Sequence, residues 1–282
     1  MKLASATAEL FIPDGAAEEA GLARTTHLAI SAHADDIEIM AAGPILRCYQ
    51  NAAEWFTGVV VTDGRGSPRT GSYEKYSDEE MHIVRSREQK KAASIGQYAA
   101  QILLDYPSAV VKDKSQKAPV DDIAAVLQAA KPREVFTHNL ADKHDTHVAV
   151  ALRVVAAIRR MEKTDRPQHL YGCEVWRDLD WMNDPDKVAF DLSEHENLQA
   201  SLLGVYDSQI TGGKRYDLAS MGRRRANATY YESHGVDTAT GMSYAMDLTP
   251  LIRDDGKEIG GFILEYIQRF SKDVEDRLAR LA

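Results

Sequence analysis

Five short apolar runs, separated by longer helical patterns, constrain this chain more than any other feature. HLAISAH (27–33), GVVVTDG (58–64), QILLDYP (101–107), EVFTHN (134–139) and HLYGCEVW (169–176) read as strands. Between them, residues 37–55, 79–95, 119–132 and 145–163 read as helices, with Gly43-Pro44 bending the first, Asp78 capping the second and Pro132 ending the third. Strands that are apolar on both faces and alternate with helices predict an α/β fold, a mostly parallel sheet covered by helices on both sides. Beyond residue 180 the pattern loosens. A helix near 195–206, a glycine loop at 212–213, an extended SYAMDL (243–248) and an amphipathic helix from 262 are expected there. Ile263, Ile267, Phe270, Val274, Leu278 and Leu281 share one stripe of that last helix, which is expected to pack on the sheet. The whole is read as a single domain, with an α/β core over 22–180 and a C-terminal elaboration over 181–282.

Composition narrows the classes of function. With 282 residues, 44% hydrophobic and 27% charged, the chain has the make-up of a globular protein and not of a disordered one. No apolar run is long enough to cross a bilayer, and the N-terminus lacks the apolar stretch of a secretory signal. Cys48 and Cys173 are too few for a disulfide framework, so a cytoplasmic location is expected. A net charge of −9 disfavours nucleic acid and anionic lipid as partners. Arg223-Arg224-Arg225 is the one dense basic run, read as a solvated helix face with a phosphate or sugar-acid contact as the alternative.

Ligands of open α/β sheets bind beyond the carboxyl ends of the strands, and two strand ends here carry polar clusters. One is Ser31-Ala32-His33-Ala34-Asp35-Asp36; the other runs from His138 to His147 and holds three of the nine histidines of the chain. His33 and Asp36 straddle a strand-to-helix turn and can converge, while His147 supplies a third bond from the start of the next helix. Three such ligands with one position left for water are what a hydrolytic zinc site needs. His144, three residues before His147, can look into the same site without ligating. Asp35 faces away from its neighbour by about a quarter turn, which lets it act on a water whose pKa the metal lowers from about 15.7 toward ~7.

These motifs resemble those of the LmbE-like, or PIG-L, zinc-dependent N-deacetylases. His33-Ala34-Asp35-Asp36 with Ile37-Glu38 is similar to the family's first zinc motif, and His144-Asp145-Thr146-His147 to its second. Thr62-Asp63-Gly64 resembles the turn after its second strand, and Arg85-Ser86-Arg87-Glu88 its Arg-x-x-Glu helix. The resemblance runs from 27 to 180. It implies a Rossmann-like fold, Zn2+ on His33, Asp36 and His147, Asp35 as general base, and His144 as an imidazolium that holds the oxyanion or protonates the leaving amine. It further implies Arg85 on the substrate, with Asp145 and Glu88 behind the site. The implied reaction removes acetyl from a small N-acylated substrate, such as an N-acetylglucosamine conjugate, by an enzyme that can be a homo-oligomer. Ala34 replaces the usual proline, and Asp105-Tyr106-Pro107-Ser108 departs from the family's acidic turn.

The loop 64–78, with Arg65, Arg69, Tyr73, Lys75 and Tyr76, reads either as a sugar-binding lid or as a solvated loop. Tyr73 and Asp63 are candidate substrate contacts, Asp63 alternatively capping its turn. Residues 206–209 and 212–214 follow a helix and can reach the pocket. An iron(II) oxygenase also fits two histidines and a carboxylate, but it calls for an antiparallel barrel. A non-catalytic metal- or sugar-binding module is the third reading.

Overall fold

A computed structural model describes residues 1–282. In chain order the elements are β1 (Glu9–Phe11), α1 (Glu18–Ala23), β2 (His27–Ser31), α2 (Asp36–Met40), α3 (Ala42–Cys48), β3 (Phe56–Thr62), α4 (Asp78–Ile95), β4 (Ala100–Tyr106), α5 (Ser108–Lys112) and α6 (Ala118–Ala130). There follow β5 (Glu134–His138), α7 (Asp145–Arg159), β6 (His169–Cys173), β7 (Lys187–Asp191), α8 (Glu196–Gly204), α9 (Asp207–Ile210), α10 (Tyr216–Tyr230), β8 (Met242–Asp247), α11 (Thr249–Arg253) and α12 (Ile259–Leu281). All five predicted strands are present, as the parallel centre of one eight-stranded sheet of order β1-β4-β3-β2-β5-β6-β8-β7. β1, β8 and β7 add antiparallel edges. A mostly parallel open sheet is not the antiparallel barrel that the oxygenase reading required.

Period-two alternation within the strands builds two cores. Leu28 and Ile30 of β2 face one layer, with α6 and α7, while Ala29 between them faces the other, with α2, α3 and α8. Strand order reverses beside β2: the chain steps outward through β3 and β4, then returns to lay β5 on the other flank of β2. The crevice that forms where strand order reverses is where such sheets bind ligands.

Several local expectations change. The helix 37–55 is two short helices that break at Ala41 and end at Cys48. Asp78 does not cap α4; Ser77 does, its Oγ accepting the Glu80 amide while the Glu80 carboxylate accepts the Ser77 amide. The region beyond 180 is no appendage to the sheet, because it contributes β7 and β8. It also contributes α10, a helix of fifteen residues that hydrophobic periodicity could not reveal, since its buried face is Ser220, Arg224, Asn227 and Ala228. The α12 stripe departs from its expected packing as well. Ile263 is buried with Phe262 and Tyr266, but Ile267, Phe270, Val274, Leu278 and Leu281 are exposed. No helix is long and apolar enough to cross a membrane, and Cys48 and Cys173 are free and buried.

A buried polar knot ties the C-terminal segment to the core. Glu38 of α2 accepts hydrogen bonds from Tyr98 (2.8 Å), Gln89 (3.0 Å) and Tyr206 (2.6 Å), the last arriving from beyond α8. Burial pushes the Glu38 carboxyl up to about 7, against the three donors that pull it down. A carboxyl raised in the folded state holds its proton after the unfolded chain has lost it, so stability falls as pH rises from 4.5 to about 7. Glu38→Gln is expected to flatten that decline in urea unfolding curves of the metal-free protein; an unchanged slope would contradict this account of the knot.

Candidate metal centre

β2 ends at Ser31, and the chain turns into α2 through Asp35, whose φ of 87° lies in a region that non-glycine residues seldom occupy. That turn sends Asp36 inward. Its Oδ2 accepts the His33 amide at 2.8 Å and sits 3.1 Å from His33 Nδ1. α7 starts at Asp145, beyond β5 on the other side of the crevice, and brings His147 Nε2 to 3.3 Å from the same Oδ2 and 3.2 Å from His33 Nδ1. Three potential donor atoms thus form a triangle with edges of 3.1–3.3 Å. Tetrahedral bonds of about 2.0–2.1 Å place ligand atoms about 3.3–3.4 Å apart, so the triangle fits a divalent ion without rearrangement. Asp36 and His147 are both buried where they face each other across the crevice.

Electrostatics follow the same pattern. Burial pushes Asp36 up, but the His147 charge and the hydrogen bonds of His147 and His33 outweigh it and hold the carboxyl well below its usual range. His147, opposed by burial, is raised to about 9 by Asp36 and Asp142. A cation at the triangle would take over this role from the imidazolium. Asp35, buried and lining the cleft, is pushed well above the usual carboxylate range by burial and then by the Asp36 charge.

His144 lies where the sequence put it, its ring 5.0 Å from that of His33 and 4.5 Å from that of His147. Burial and both of those rings lower its pKa, which works against the charged form of the ring. Asp145 is exposed and does not stand behind the ligands. That place belongs to Asp142, unforeseen in the sequence reading, which is 3.4 Å from His147 Nδ1 and accepts the backbone amides of His144 and Trp176. An aspartate five residues before a ligating histidine, at the mouth of the same loop, was the available signal. His138, at the end of β5, stacks on His147 with ring centroids 3.9 Å apart. With Asp36 and His147 it makes an alternative ligand trio, but its Nε2 already accepts the Ala32 amide at 2.8 Å.

The other candidates divide. Arg85 is buried and lines the cleft, donating to Ala34 O at 2.9 Å and to Ser67. Gly64 allows this: its φ is +68°, and a Cβ there would lie 3.1 Å from the Arg85 side chain. Asp63 lines the cleft and pairs with Arg65 at 3.3 Å, while also accepting the Arg65 amide that closes its turn. Tyr73 does not reach the cleft; its hydroxyl donates to Asp207 at 2.7 Å. Glu88 is not behind the metal triangle either, and instead receives the Ser208 amide at 2.7 Å, pinning α9 to α4. Of the loop 64–78, Gly64, Gly66, Ser67 and Pro68 border the cleft, whereas Arg69 is tied back to Asp78 and the Tyr76 carbonyl. Gln209 and Lys214 do reach it. Nor is the arginine run a solvated face: Arg224 is buried on the carbonyl of Glu38 and on Gln199, Arg223 lines the cleft, and Arg225 alone is exposed, paired with Glu196.

A Rossmann-like sheet with a His-Asp-His triangle at its strand-order reversal defines an α/β protein with side chains that could hold a metal ion. The model of the PIG-L family, GlcNAc-PI de-N-acetylase, matches residues 28–158, which hold every residue of the triangle. Over that core, a little under half of the chain, the sequence is similar to the PIG-L, or LmbE-like, family. Similar solved structures include a conserved protein from Thermus thermophilus (17% identity, TM-score 0.61, covering 83% of this chain and 99% of that one). N,N'-diacetylchitobiose deacetylase from Pyrococcus horikoshii aligns at 17% identity and TM-score 0.58, covering 82% and 88%. The 4-carboxy-2-hydroxymuconate hydratase from Pseudomonas putida aligns at 13% and 0.60, covering 79% and 96%. At these identities the likeness is one of fold.

Asp142→Asn is expected to weaken divalent-metal affinity by about 10–100-fold, the usual effect of losing a carboxylate behind a ligating histidine. A chelator-competition titration reads it; unaltered affinity would reduce Asp142 to an anchor for the His144 and Trp176 amides.

Proposed function

We propose that this chain is a metal-dependent N-deacetylase that hydrolyses the amide of a small N-acetylated compound, an N-acetyl amino sugar or its conjugate, with zinc as the working ion. The observation that carries the reading is the convergence of His33, Asp36 and His147 beside Asp35 in a cleft of about 870 Å³, a size suited to a small ligand. The family match supports hydrolysis of an N-acetyl group. The hydratase neighbour shares the fold, so the fold alone does not choose the reaction.

A divalent ion on the three ligands would supply Lewis acidity, making a water acidic near neutral pH and polarising an acyl oxygen. The chain's own residues do the rest. Asp35 removes the proton of the attacking water; its raised basicity suits a general base better than an ordinary aspartate would. His144, at the edge of the triangle, donates a hydrogen bond to the developing oxyanion. As the C–N bond breaks, the proton held by Asp35 passes to the departing nitrogen, giving acetate and a free amine. Arg85, fixed by Ala34 and Ser67, presents its guanidinium to the substrate from the β3 side of the cleft.

Acetate release from N-acetylated amino sugars, abolished by a chelator and restored by zinc, is the expected result. Asp35→Asn should keep the metal while slowing turnover by about 100-fold or more. Loss of the metal together with activity would move Asp35 into the ligand set and contradict the assignment.

A further inference from the structure

The cleft has a second wall that hydrolysis of an amide does not use. Although the chain carries a net charge of −9, the side chains lining the cleft include seven basic residues against four acidic ones. Some of the cations are spoken for: Arg215 forms a two-pronged pair with Asp217, and Arg224 and Arg85 are held by backbone and neutral side chains. Lys143, Lys214 and Arg223 have no carboxylate partner, and all three gather on Val175-Trp176. The ammonium groups of Lys143 and Lys214 lie 5.9 and 4.4 Å from the centre of the Trp176 ring, and Arg223 donates to the Val175 carbonyl. At the same end of the cleft the Ser243 hydroxyl is buried with no partner. The nearby Glu174 carboxylate offers little compensation, because its oxygens are engaged by Asn227 and by the amides of Tyr244 and Leu179.

Three unpaired cations on one short segment repel one another unless an anion joins them, and a concave wall focuses their field. Trp176 also places them relative to the chemistry, since its ring lies 6.3 Å from that of His144. We infer that Lys143, Lys214 and Arg223 form a subsite for an anionic oxygen group, a carboxylate or a phosphate, carried by the substrate about one sugar ring away from the scissile amide. Trp176 is the platform that holds the two ammonium groups, and the Ser243 hydroxyl is free to donate to the anion. The inference rests on the deacetylase reading for the rest of the substrate and adds its charge. It also gives a reason for α10, which lies beyond the family match, to bring Arg223 to this cleft.

The test compares three probes on the zinc-loaded full chain: N-acetylglucosamine, its 6-phosphate, and N-acetylmuramic acid. Calorimetry reads binding and acetate release reads turnover. An anionic probe is expected to bind about tenfold or more tighter than the neutral sugar, an advantage that shrinks as salt rises from about 50 to about 500 mM. In Lys143→Ala/Lys214→Ala, two exposed positions, the ratio of anionic to neutral affinity should fall toward one. Preference for the phosphate or for the carboxylate arm names the group. Equal binding of all three probes, or a preference that survives the double variant, overturns the subsite. Acetate from the neutral sugar without anion preference keeps the deacetylase and removes the subsite; anion-selective binding without acetate from any probe does the reverse.

Discussion

The Asp36 carboxylate is the point on which the structure turns. It is buried where the carboxyl ends of β2 and β5 diverge, and a buried carboxylate is tolerable only when its charge is matched. His33 beside it and His147 across the crevice match it, one contributed by each flank of the strand-order reversal. Removing Asp36 would leave two imidazoles facing each other, and removing His147 would leave a bare charge in the core. The fold and the site therefore meet in one contact: the topology delivers the residues, and their mutual compensation holds the two loops at the crevice.

Around that contact lie the groups that hold it in place. Asp142 orients His147, and the Ala32 amide fixes His138, which stacks on it. Below lies the Glu38 knot, whose tyrosine from beyond α8 makes the C-terminal segment part of the site's foundation. Gln89 links the two levels, since its side-chain oxygen faces the Asp35 amide and lies 2.9 Å from the Tyr206 hydroxyl.

The parallel centre of the sheet was legible in the sequence because each strand is buried on both faces and so reads as an unbroken apolar run. The triangle was legible for a related reason: His33, Asp36 and His147 are polar residues at strand ends, where packing alone gives no cause for them. Asp142 and the cationic wall were not. Asp142 looks like any loop aspartate until His147 Nδ1 is seen beside it. α10 buries an arginine and an asparagine in place of leucines, because the groups it covers are backbone carbonyls and Glu174, and hydrophobic periodicity is blind to such a face. The α12 stripe failed in the opposite sense, since periodicity reports an apolar face without reporting what covers it. Capping, too, was misjudged by one residue, Ser77 for Asp78, a choice that rests on one hydroxyl direction.

The most direct test of the metal centre is a crystal of the full chain grown with zinc, with diffraction recorded on both sides of the zinc absorption edge. One anomalous peak bonded to His33 Nδ1, Asp36 Oδ2 and His147 Nε2, with His138 still accepting the Ala32 amide, is the result this account predicts. A peak bonded to His138 in place of His33, or no peak in the crevice with zinc in excess, would contradict it.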